Sequence, residues 1–389
     1  MHDLRKDIAH PADALIRIMS RNKTCWIGFE AMEKFMVDVF EGIGVPPEDA
    51  KICADVLITA DKRGIDSHGT GRLKPIYYDR IVHQGIQEPV TRLEVVEDRQ
   101  ATAVVDGHHG MGMVIAKKCM EMAIEKAARF GVGMVAARNS THYGIAGYYP
   151  LMACRSNMIG LSGTNARPSI APTFGVENML GTNPLVFGFP TDEEFPFVND
   201  YATSISQRGK IEQYAREKRE LPGGWVIGRD GSAMTDPETV LKALVEGSAA
   251  LCPLGGIGEE TAGYKGYGFA TVVEILSSAL QQGAFLKQLS GFKNGERVPY
   301  RLGHFFAAVN ISFFTDPNAF RRTAGTILRQ LRNSARAPGC ERIYTCGEKE
   351  HFAWLERKDR GVPVNEELQE QIVTMRDELG LNQHVFEFE

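Results

Sequence analysis

Apolar residues recur every three to four positions in two stretches near the start of the chain. The first stretch carries Phe29, Met32, Phe35, Met36, Val39 and Phe40. Residues 50–60 repeat this pattern, which places apolar side chains on one face of an α-helix. Gly42, Gly44 and Pro46-Pro47 lie between the two stretches, where they favour a helix end and a new start. The pattern therefore predicts two consecutive helices between residues 27 and 60.

Short, continuous apolar runs later in the chain are typical of buried strands. Residues 132–137 form one such run directly after Gly131, which ends an amphipathic helix, and residues 158–162 form a second. Residues 147–155 between them have helical character, so the pattern predicts a strand–loop–helix–strand unit. Ligands of open α/β sheets bind at the edge where such strands end. Polar residues follow the first run at this edge.

The rest of the pattern predicts further strands and helices around one irregular region. Residues 219–263 are predicted to be loop-rich, because Gly and Pro break any long element there, and Thr203-Ser204 is predicted to cap a helix. Strands are expected at residues 184–189, 197–202 and 305–311 and near Ile343. Helices are expected at residues 266–282, 318–331, 348–358 and 365–378.

Composition places the chain among ordinary globular proteins. It has 389 residues, of which 43% are hydrophobic and 24% charged, enough for more than one lobe. A net charge of -5 and a pI near 6.1 argue against a broad nucleic-acid surface, which needs clustered Lys and Arg. No stretch reaches the ~20 apolar residues of a membrane helix. We expect no nucleic-acid partner and no membrane span.

The start of the chain and the cysteines indicate a cytoplasmic location. Residues 1–7 carry charges of both signs and lead into no apolar segment, so the features of a secretory signal are absent. Seven cysteines are scattered without a CxxC pair or the spacing of a disulfide framework. Reduced thiols in the cytoplasm are the simplest interpretation.

Two histidines stand in glycine-rich polar segments and are the leading candidates for chemistry. The first segment, residues 63–72, contains Ser67, His68 and Arg72, and the second, residues 138–147, contains His142. Histidine exchanges a proton near neutral pH, and the planar guanidinium of arginine binds a carboxylate through two hydrogen bonds. Together these residue types indicate proton-transfer chemistry on a small acid.

Each of these candidates has a structural alternative. His68 and Arg72 are one helical turn apart, which would place them on one face, although a hydrogen-bonded histidine and a surface ion pair are common. His142 follows the strand predicted at residues 132–137, although a capping or loop histidine would occupy the same place. Their combination in one chain favours catalysis by the histidines and carboxylate binding by Arg72.

Several familiar sites are not supported by the sequence. The remaining histidines lack the spacing of metal ligands, so no metal is predicted, and no GxSxG elbow supports a serine hydrolase. Residues 110–112 and 266–268 begin a GxGxxG motif but lack its last glycine, which argues against a standard Rossmann domain. Residues 181–184 and 264–268 can each form a turn whose backbone N–H groups bind an anion. In the second turn, Lys265 either pairs with a phosphate or only caps the loop.

Taken in order, these segments resemble the malate/L-lactate dehydrogenase family, which also holds sulfolactate, ureidoglycolate and diketogulonate dehydrogenases and piperideine-carboxylate reductase. The resemblance covers roughly residues 27–378 and is highly specific as an ordered set. The matching segments are residues 65–69 with Arg72-Leu73, then 139–147, 163–165, 181–184, 198–204, 263–269 and 346–348.

This resemblance implies an α/β protein with the non-Rossmann NAD(P)-binding fold of L-sulfolactate dehydrogenase-like enzymes, a mixed sheet flanked by helices. That fold agrees with the missing glycine motif. We expect an N-terminal extension over residues 1–24, a helical lobe over 25–105 joined by the C-terminal part at about 335–389, and an α/β cofactor-binding region over 106–334. The resemblance also implies a homodimer whose active site is shared between protomers.

The family's functional residues are carried over by the same resemblance. His142 is then the proton acceptor or donor, His68 and Ser67 assist, and Arg72 holds the substrate carboxylate. The implied cofactor is NAD, with NADP as the alternative. The implied nucleotide contacts are Ser162, Asn165, Asn183, Asp200, Ala202, Thr203, Ser204, Lys265, Gly347, Glu348 and Lys349.

The chain departs from the common family pattern in places. Tyr77 is displaced from the usual spacing after Arg72, which leaves its substrate role open, and residues 253–261 form an enlarged loop before Lys265. Arg167 adds a cation after the second predicted strand. We expect Arg167 to bind a second carboxylate, which would favour malate over lactate, and a structural ion pair is the alternative.

The predicted function is therefore the interconversion of a small 2-hydroxy acid and its 2-oxo acid by hydride transfer to nicotinamide, with malate and oxaloacetate as the expected pair. Lactate or sulfolactate dehydrogenase and cyclic imine (piperideine-2-carboxylate) reductase are the alternatives, because C=O and protonated C=N need similar hydride geometry. A metal-dependent hydrolase would need metal ligands at a suitable spacing, and the sequence shows none. The hypothesis of a non-catalytic binding protein does not explain why Ser67-His68, Arg72 and His142 occur together.

Overall fold

The computed structural model of the protein describes residues 24–389, so the extension predicted over residues 1–24 lies outside the described residues except for Thr24. The helices are α1 (Phe29–Gly42), α2 (Pro47–Lys62), α3 (Asp79–Val82), α4 (Gly112–Phe130), α5 (Tyr148–Arg155), α6 (Arg208–Arg216), α7 (Pro237–Glu246), α8 (Gly263–Leu276), α9 (Pro317–Arg332), α10 (Glu348–Arg357) and α11 (Glu366–Leu379). The strands are β1 (Cys25–Ile27), β2 (Glu94–Asp98), β3 (Thr102–Asp106), β4 (Val132–Ser140), β5 (Met158–Thr164), β6 (Leu185–Phe189), β7 (Phe197–Tyr201), β8 (Val226–Gly228), β9 (Ala249–Leu251), β10 (Phe292–Lys293), β11 (Glu296–Arg297), β12 (Leu302–Asn310) and β13 (Val362–Val364).

A seven-stranded sheet in the order β2-β3-β4-β12-β5-β6-β7 occupies the centre of the described chain. β3 and β4 are parallel neighbours, whereas the other neighbouring strands run antiparallel. The predicted unit β4-α5-β5 is present, but β12 lies between its two strands. This mixed sheet with helices packed against it confirms the predicted α/β class and differs from the parallel sheet of a Rossmann domain.

The apolar stripe predicted for α1 is buried, as its helical spacing requires. Met32, Phe35 and Phe40 have no exposed surface and belong to a core that also includes side chains of α2 and α4. The C-terminal part of the chain returns to this lobe, because β13 pairs with β1 and α11 packs on α1.

The division into a helical lobe over residues 25–105 and an α/β region over 106–334 stays a prediction. β2 and β3 precede its boundary, yet β3 pairs with β4 in the central sheet. The sequence pattern did not indicate β2, because every residue of this edge strand is exposed and the strand has no buried apolar face.

The loop-rich region contains short elements, and two expectations outside it, at Thr203-Ser204 and near Ile343, were wrong. Residues 219–263 contain β8, α7 and β9, and α7 begins at an Asp-Pro step where Asp236 accepts a hydrogen bond from the Thr239 amide. Thr203-Ser204 does not cap α6, which starts at Arg208. The predicted strand near Ile343 is absent from the described residues, and the helix predicted at 266–282 is α8.

Among residues 24–389, none of the helices combines the length and apolar character that crossing a bilayer demands.

Helices approach the sheet closely where the sequence places glycine. Gly133 on β4 faces α4, and a Cβ at this position would lie 2.1 Å from the carbonyl oxygen of Ala123. Gly303 on β12 likewise faces the end of α8, where a Cβ would lie 1.7 Å from the carbonyl oxygen of Ser277. Because backbone atoms cannot yield as a flexible side chain can, these two contacts set the distance between the helices and the sheet.

We predict that Gly133→Ala lowers the free energy of unfolding by about 1–3 kcal/mol, because the added methyl group forces α4 away from β4. Gly209→Ala is the matched control. Its Cβ, in the first turn of α6, would meet no atom within 4 Å, so the unfolding free energy should stay unchanged or rise by about 0.5–1 kcal/mol. Denaturant titration measures both, and equal stability of Gly133→Ala and the wild type would contradict the prediction.

Candidate active site

The two histidines singled out by the sequence line one cavity of about 480 Å³. The rings of His68 and His142 are nearly parallel, with centroids 5.8 Å apart and an angle of 17° between their planes. Ser67 and Arg72 line the same cavity. The four residues predicted to be catalytic therefore meet in one place, although they come from two distant segments.

The segment with His68 is shaped by a buried carboxylate at the end of α2. Asp61 is 2% exposed and accepts hydrogen bonds from the amide and the hydroxyl of Thr70, at 2.9 and 2.5 Å. Gly69 lies against this carboxylate, and a Cβ there would stand 1.8 Å from Oδ1. Glycine at this position thus allows the chain to wrap around Asp61 in two consecutive 3₁₀ turns, Asp66–His68 and Thr70–Arg72.

A C-terminal arginine holds the same segment from the other side. The two terminal nitrogens of Arg357, on α10, donate to the two carboxylate oxygens of Asp66 at 2.5 and 2.9 Å. Arg357 also donates to the carbonyl oxygen of Asp61 at 2.9 Å. Bidentate pairing of this kind fixes orientation as well as distance, so the C-terminal part helps to position the first histidine motif.

The unusual spacing of Tyr77 is accommodated by a π-helix over Leu73–Tyr78. A π-helix holds one more residue per hydrogen-bonded turn than an α-helix, so it absorbs an extra residue after Arg72. The Tyr77 hydroxyl consequently lies 2.7 Å from Nδ1 of His142. The sequence left the role of Tyr77 open, and the structure brings its hydroxyl to the second histidine.

Hydrogen bonds orient the other polar groups of the first motif. The Ser67 hydroxyl lies 2.9 Å from Nδ1 of His68. The Arg72 Nε donates to the carbonyl oxygen of Ser67 at 2.5 Å. The terminal nitrogens of Arg72 make no hydrogen bond within residues 24–389, so they are available to a carboxylate in the cavity.

His142 lies two residues beyond β4, as the sequence predicts. Its backbone is held against the start of α4, where the Gly112 amide donates to the Thr141 hydroxyl at 2.9 Å. A Cβ on Gly112 would lie 2.5 Å from the His142 carbonyl oxygen, so glycine allows this close approach. The Gly144 amide points at Nδ1 of His142 from 3.3 Å. Contacts with Tyr77 and Gly144 thus occupy Nδ1 and leave Nε2 for a ligand.

Burial and neighbouring cations favour the neutral form of both histidines. Burial, together with the charge of Arg72, lowers the pKa of His68 to about 4. Burial lowers the pKa of His142 well below its usual value, and His68, Arg80 and Arg72 add to this effect. A bound carboxylate would offset the positive charge of the arginines, so we expect it to raise both pKa values toward neutrality.

A third histidine, which the sequence did not assign to a site, supports the cavity from behind. His304 on β12 is fully buried, and its Nδ1 and Nε2 lie 2.8 and 2.7 Å from the hydroxyls of Thr164 and Ser140. Its ring stacks on Tyr143, with centroids 4.5 Å apart, and Tyr143 lines the cavity. Burial lowers the pKa of His304 to about 3, so it acts as a neutral structural residue. An isolated histidine in an apolar strand carries no motif that would reveal this role.

Known proteins resemble this chain over most of its length. The sequence model of the malate/L-lactate dehydrogenase family matches residues 27–373. The chain belongs to this family. It is 42% identical over 348 residues to a malate dehydrogenase of Pyrococcus abyssi, covering 89% of this chain and 93% of the relative, and 39% identical over 353 residues to an L-sulfolactate dehydrogenase of Methanocaldococcus jannaschii, covering 91% and 97%. The crystal structure of malate dehydrogenase from Entamoeba histolytica superposes with a TM-score of 0.88 at 40% identity, over 92% of this chain and 99% of the other.

As a member of the malate/L-lactate dehydrogenase family, the chain is a hydroxyacid dehydrogenase, an oxidoreductase of small hydroxy and oxo acids, and dehydrogenases of this family typically use a nicotinamide cofactor. Three of the residues proposed to contact that cofactor line the cavity with the histidines: Asn165, Asp200 and Ala202. Asp200 accepts a hydrogen bond from the Gly147 amide at 2.7 Å. Burial raises the pKa of Asp200 to about 6, with this hydrogen bond opposing the shift.

Several members of the predicted nucleotide set, including Asn165 in the cavity wall, are buried and hydrogen-bonded within the protein. The amide of Asn183 donates to the buried carboxylate of Glu274 at 2.8 Å, and Asn165 accepts from the Gly303 amide at the same distance. The hydroxyls of Ser162 and Thr203 donate to backbone carbonyl oxygens. These contacts hold β5 and the loops after it in place, so hydrogen bonds within the protein engage each of these four side chains.

The remaining predicted nucleotide contacts do not line this cavity. Glu348 is 1% exposed and is engaged by the guanidinium of Arg342 and by the Thr345 amide. Lys265 and Lys349 are exposed and lie near tyrosine rings, and Gly347 begins α10. One turn further along α10, Glu350 does line the cavity, although the sequence did not indicate it. Roles for Lys265 and residues 347–349 stay predictions.

The alternative role of Arg167, a structural ion pair, finds no support among the described residues. Arg167 is exposed and forms no ion pair with any residue between 24 and 389, and the adjacent Ala166 lines the cavity. Arg80 is a second cation near Arg167, and its guanidinium packs on the ring of Tyr300 at 4.5 Å rather than on a carboxylate.

Within the described part of the chain, no three His, Cys, Asp or Glu side chains are grouped so that they could hold a metal ion.

We predict that Asp61→Asn flattens the pH dependence of stability between about pH 4 and pH 7. Burial raises the pKa of Asp61 to about 7 in the folded protein, whereas an unfolded aspartate titrates near 3.9. Across this window the unfolded chain releases a proton that the folded chain retains, so the unfolding free energy of the wild type falls as pH rises. The asparagine variant lacks this loss and therefore gains stability relative to the wild type.

Urea titrations at several pH values measure this difference. Asp359→Asn, an exposed substitution, is the control and should leave the pH dependence unchanged. Parallel stability curves for the wild type and Asp61→Asn would show that Asp61 does not titrate in this range.

Proposed function

We propose that this enzyme interconverts malate and oxaloacetate with NAD, using His142 as the group that accepts or donates the proton. The observation that carries the proposal is the meeting of His142, His68 and Arg72 at one cavity, with the Nδ1 of His142 held by Tyr77. A proton-transfer group, a second histidine and a carboxylate-binding cation are the protein groups that such a reaction needs.

The contacts of each side chain support the part that we propose for it in the reaction. Arg72 is held through Nε and presents its terminal nitrogens to the substrate carboxylate. His142 is held through Nδ1, so Nε2 exchanges the proton of the C2 oxygen. The Tyr77 hydroxyl can donate to a bare Nδ1 or accept from a protonated one, so it supports His142 in both protonation states. His68, oriented by Ser67, assists from the parallel ring.

The residues around the cavity fit a nicotinamide cofactor. Tyr143 lines the cavity, and its buried hydroxyl makes no hydrogen bond of normal geometry, although the Ser162 hydroxyl lies close to it. The Ser204 hydroxyl is likewise buried without a partner, shortly after Asp200 and Ala202. Unsatisfied buried polar groups are costly, so a polar ligand would compensate them. When bound, the cofactor accepts or supplies the hydride, and Asn165, Asp200 and Ala202 would hold it.

The charge distribution favours a substrate with two anionic groups. Arg72 provides one cation at the cavity. Arg80 lies close enough to affect the charge of His142, Arg167 lies near Arg80, and neither has a carboxylate partner among residues 24–389. Malate and sulfolactate, which the names of the relatives specify, each carry a second anion that lactate lacks. We therefore favour malate, with sulfolactate as the nearest alternative and a cyclic imine acid, which has one carboxylate, as a weaker one.

The enzyme also has a surface suited to a second copy of itself. Phe269, Val272 and Ile275 on α8 are about half exposed and follow one another at helical spacing, and Tyr264 in the first turn of α8 is about half exposed as well. An exposed apolar stripe of this kind commonly marks a protein interface. We propose a homodimer through this face, with an active site that both protomers complete, and a cytoplasmic location, where the buried thiols of Cys53, Cys119 and Cys252 stay reduced.

A substrate panel tests the proposed reaction. We expect NADH oxidation with oxaloacetate at a higher kcat/KM than with pyruvate, sulfopyruvate or a cyclic imine acid, and parallel assays with NADPH decide the cofactor preference. His142→Ala should lower kcat by about 10²–10⁴-fold while NADH affinity, measured by fluorescence titration, stays within about twofold.

The matched control is His108→Ala, which removes a histidine outside the cavity and should keep full activity. Equal loss of NADH binding and turnover in His142→Ala would remove the proton-transfer assignment. Turnover of the imine acid alone would replace the proposed reaction with imine reduction.

We predict that Arg167→Gln lowers kcat/KM for oxaloacetate by about 10- to 100-fold and leaves that for pyruvate nearly unchanged, because a charge-assisted contact with the second carboxylate is lost. Arg129→Gln, at the exposed end of α4, is the control and should alter neither value. Steady-state kinetics with both oxo acids give the ratio, and an unchanged oxaloacetate-to-pyruvate preference would eliminate Arg167 as a specificity residue.

A further inference from the structure

A second and larger cavity, of about 720 Å³, lies beside the catalytic one. Glu350 on α10 lines both cavities, so they adjoin at this residue. The second cavity lies between the end of α2, the end of α5 and the hairpin of β6 and β7. Neither the catalytic assignment nor the predicted nucleotide contacts use its charged residues.

Three of the four acidic side chains of this cavity already have partners. Asp55 accepts a hydrogen bond from the Tyr148 hydroxyl. Glu193 pairs with Arg329 and Arg332 from α9, and Glu194 lies 3.2 Å from Nε2 of His351. Other side chains thus engage Asp55, Glu193 and Glu194, whereas Glu350, the fourth carboxylate of the cavity, lies near Arg63 without forming an ion pair within residues 24–389.

Two arginines in the cavity are not compensated in this way. Arg63 and Arg155 both line it, and neither forms an ion pair with any residue between 24 and 389. Each lies close enough to the other for their charges to repel, with Glu350 and Asp200 as the nearest carboxylates to Arg63. Burial lowers the pKa of Arg63, which shows that its charge is poorly solvated. An anion between the two guanidinium groups would remove this repulsion.

Phosphate is the anion that suits this arrangement. Two guanidinium groups can each donate paired hydrogen bonds to phosphate oxygens, a geometry that lysine cannot supply. The aromatic side chains of Phe195 and Trp354 also line the cavity and offer a surface for a planar base. The cavity therefore combines the two features that recognise a nucleotide.

We infer that Arg63 and Arg155 bind the phosphates of the adenosine diphosphate half of the cofactor, while its nicotinamide half occupies the adjoining catalytic cavity. This inference rests on the proposed function, because it needs a dinucleotide that extends past Glu350. It also gives Arg63 a role that joins the two sites, since Arg63 precedes the segment with His68 in the chain and faces Asp200 of the catalytic cavity.

Equilibrium binding of ADP and NADH to the intact enzyme tests the inference. We expect ADP to bind the wild type in competition with NADH. Arg63→Gln and Arg155→Gln should each weaken the binding of both by about 10-fold or more, because each loses a charge-assisted pair of hydrogen bonds. Adenosine, which has no phosphate, should bind all three proteins equally. Titration calorimetry follows ADP and adenosine, and nicotinamide fluorescence follows NADH.

Arg321→Gln is the matched control within the same cavity. Its side chain is already used, since Nε donates to the Thr191 carbonyl oxygen at 2.9 Å, so ADP affinity should stay within about twofold of the wild type. Unfolding curves check that each variant is folded. If Arg63→Gln does not fold, Arg63→Lys and Arg155→Gln carry the test, and Arg63→Lys should still weaken ADP binding because it loses the paired hydrogen bonds.

Three outcomes would overturn the inference. Unchanged ADP and NADH affinity in the double variant would remove both arginines from the phosphate site. ADP binding that does not compete with NADH would assign the cavity to a free nucleotide instead of the cofactor. Failure of the wild type to bind ADP while it binds NADH and reduces oxaloacetate would place the phosphates elsewhere and leave the proposed function intact, whereas failure to bind NADH at all would remove both.

Discussion

The hydrogen bond between Tyr77 and His142 is the contact on which the site depends. It joins a π-helical segment of the first motif to the residue that follows β4, so it aligns two parts of the chain that fold around different elements. The parallel rings of His68 and His142 follow from that alignment. Because Nδ1 of His142 is engaged on the protein side, only Nε2 is left to face a substrate.

Electrostatics is the second constraint on the site. Arg72 and the two histidines line the cavity, Arg80 lies near His142, and burial lowers the pKa of His68, of His142 and of Arg80. Asp200, a carboxylate of the same cavity, is itself buried and has a raised pKa. Under the proposals above, an anionic substrate and the cofactor phosphates would compensate the cations that form no ion pair in or near the two cavities within residues 24–389.

Much of the fold could be predicted where the hydrophobic period was strong. The stripe of α1, the apolar run of β4 and the unit that ends in β5 all form as expected, because burying these side chains stabilises one conformation. Residues 219–263 hold only short elements between loops, and these elements have too few apolar positions to show a period that would locate them. In the predicted nucleotide set, Asn183 and Glu348 turn out to be held by internal partners, which no spacing along the chain could have shown.

The sequence by itself determined the family, the α/β class and the residues Ser67, His68, Arg72 and His142, because motif identity and hydrophobic period are local properties of a chain. Only the tertiary structure decided that Tyr77 reaches His142, that β12 lies between β4 and β5, and that Arg63 and Arg155 share a cavity beside the catalytic one. These facts depend on contacts between residues far apart in sequence. Packing of the whole chain selects such contacts, and local preferences do not encode them.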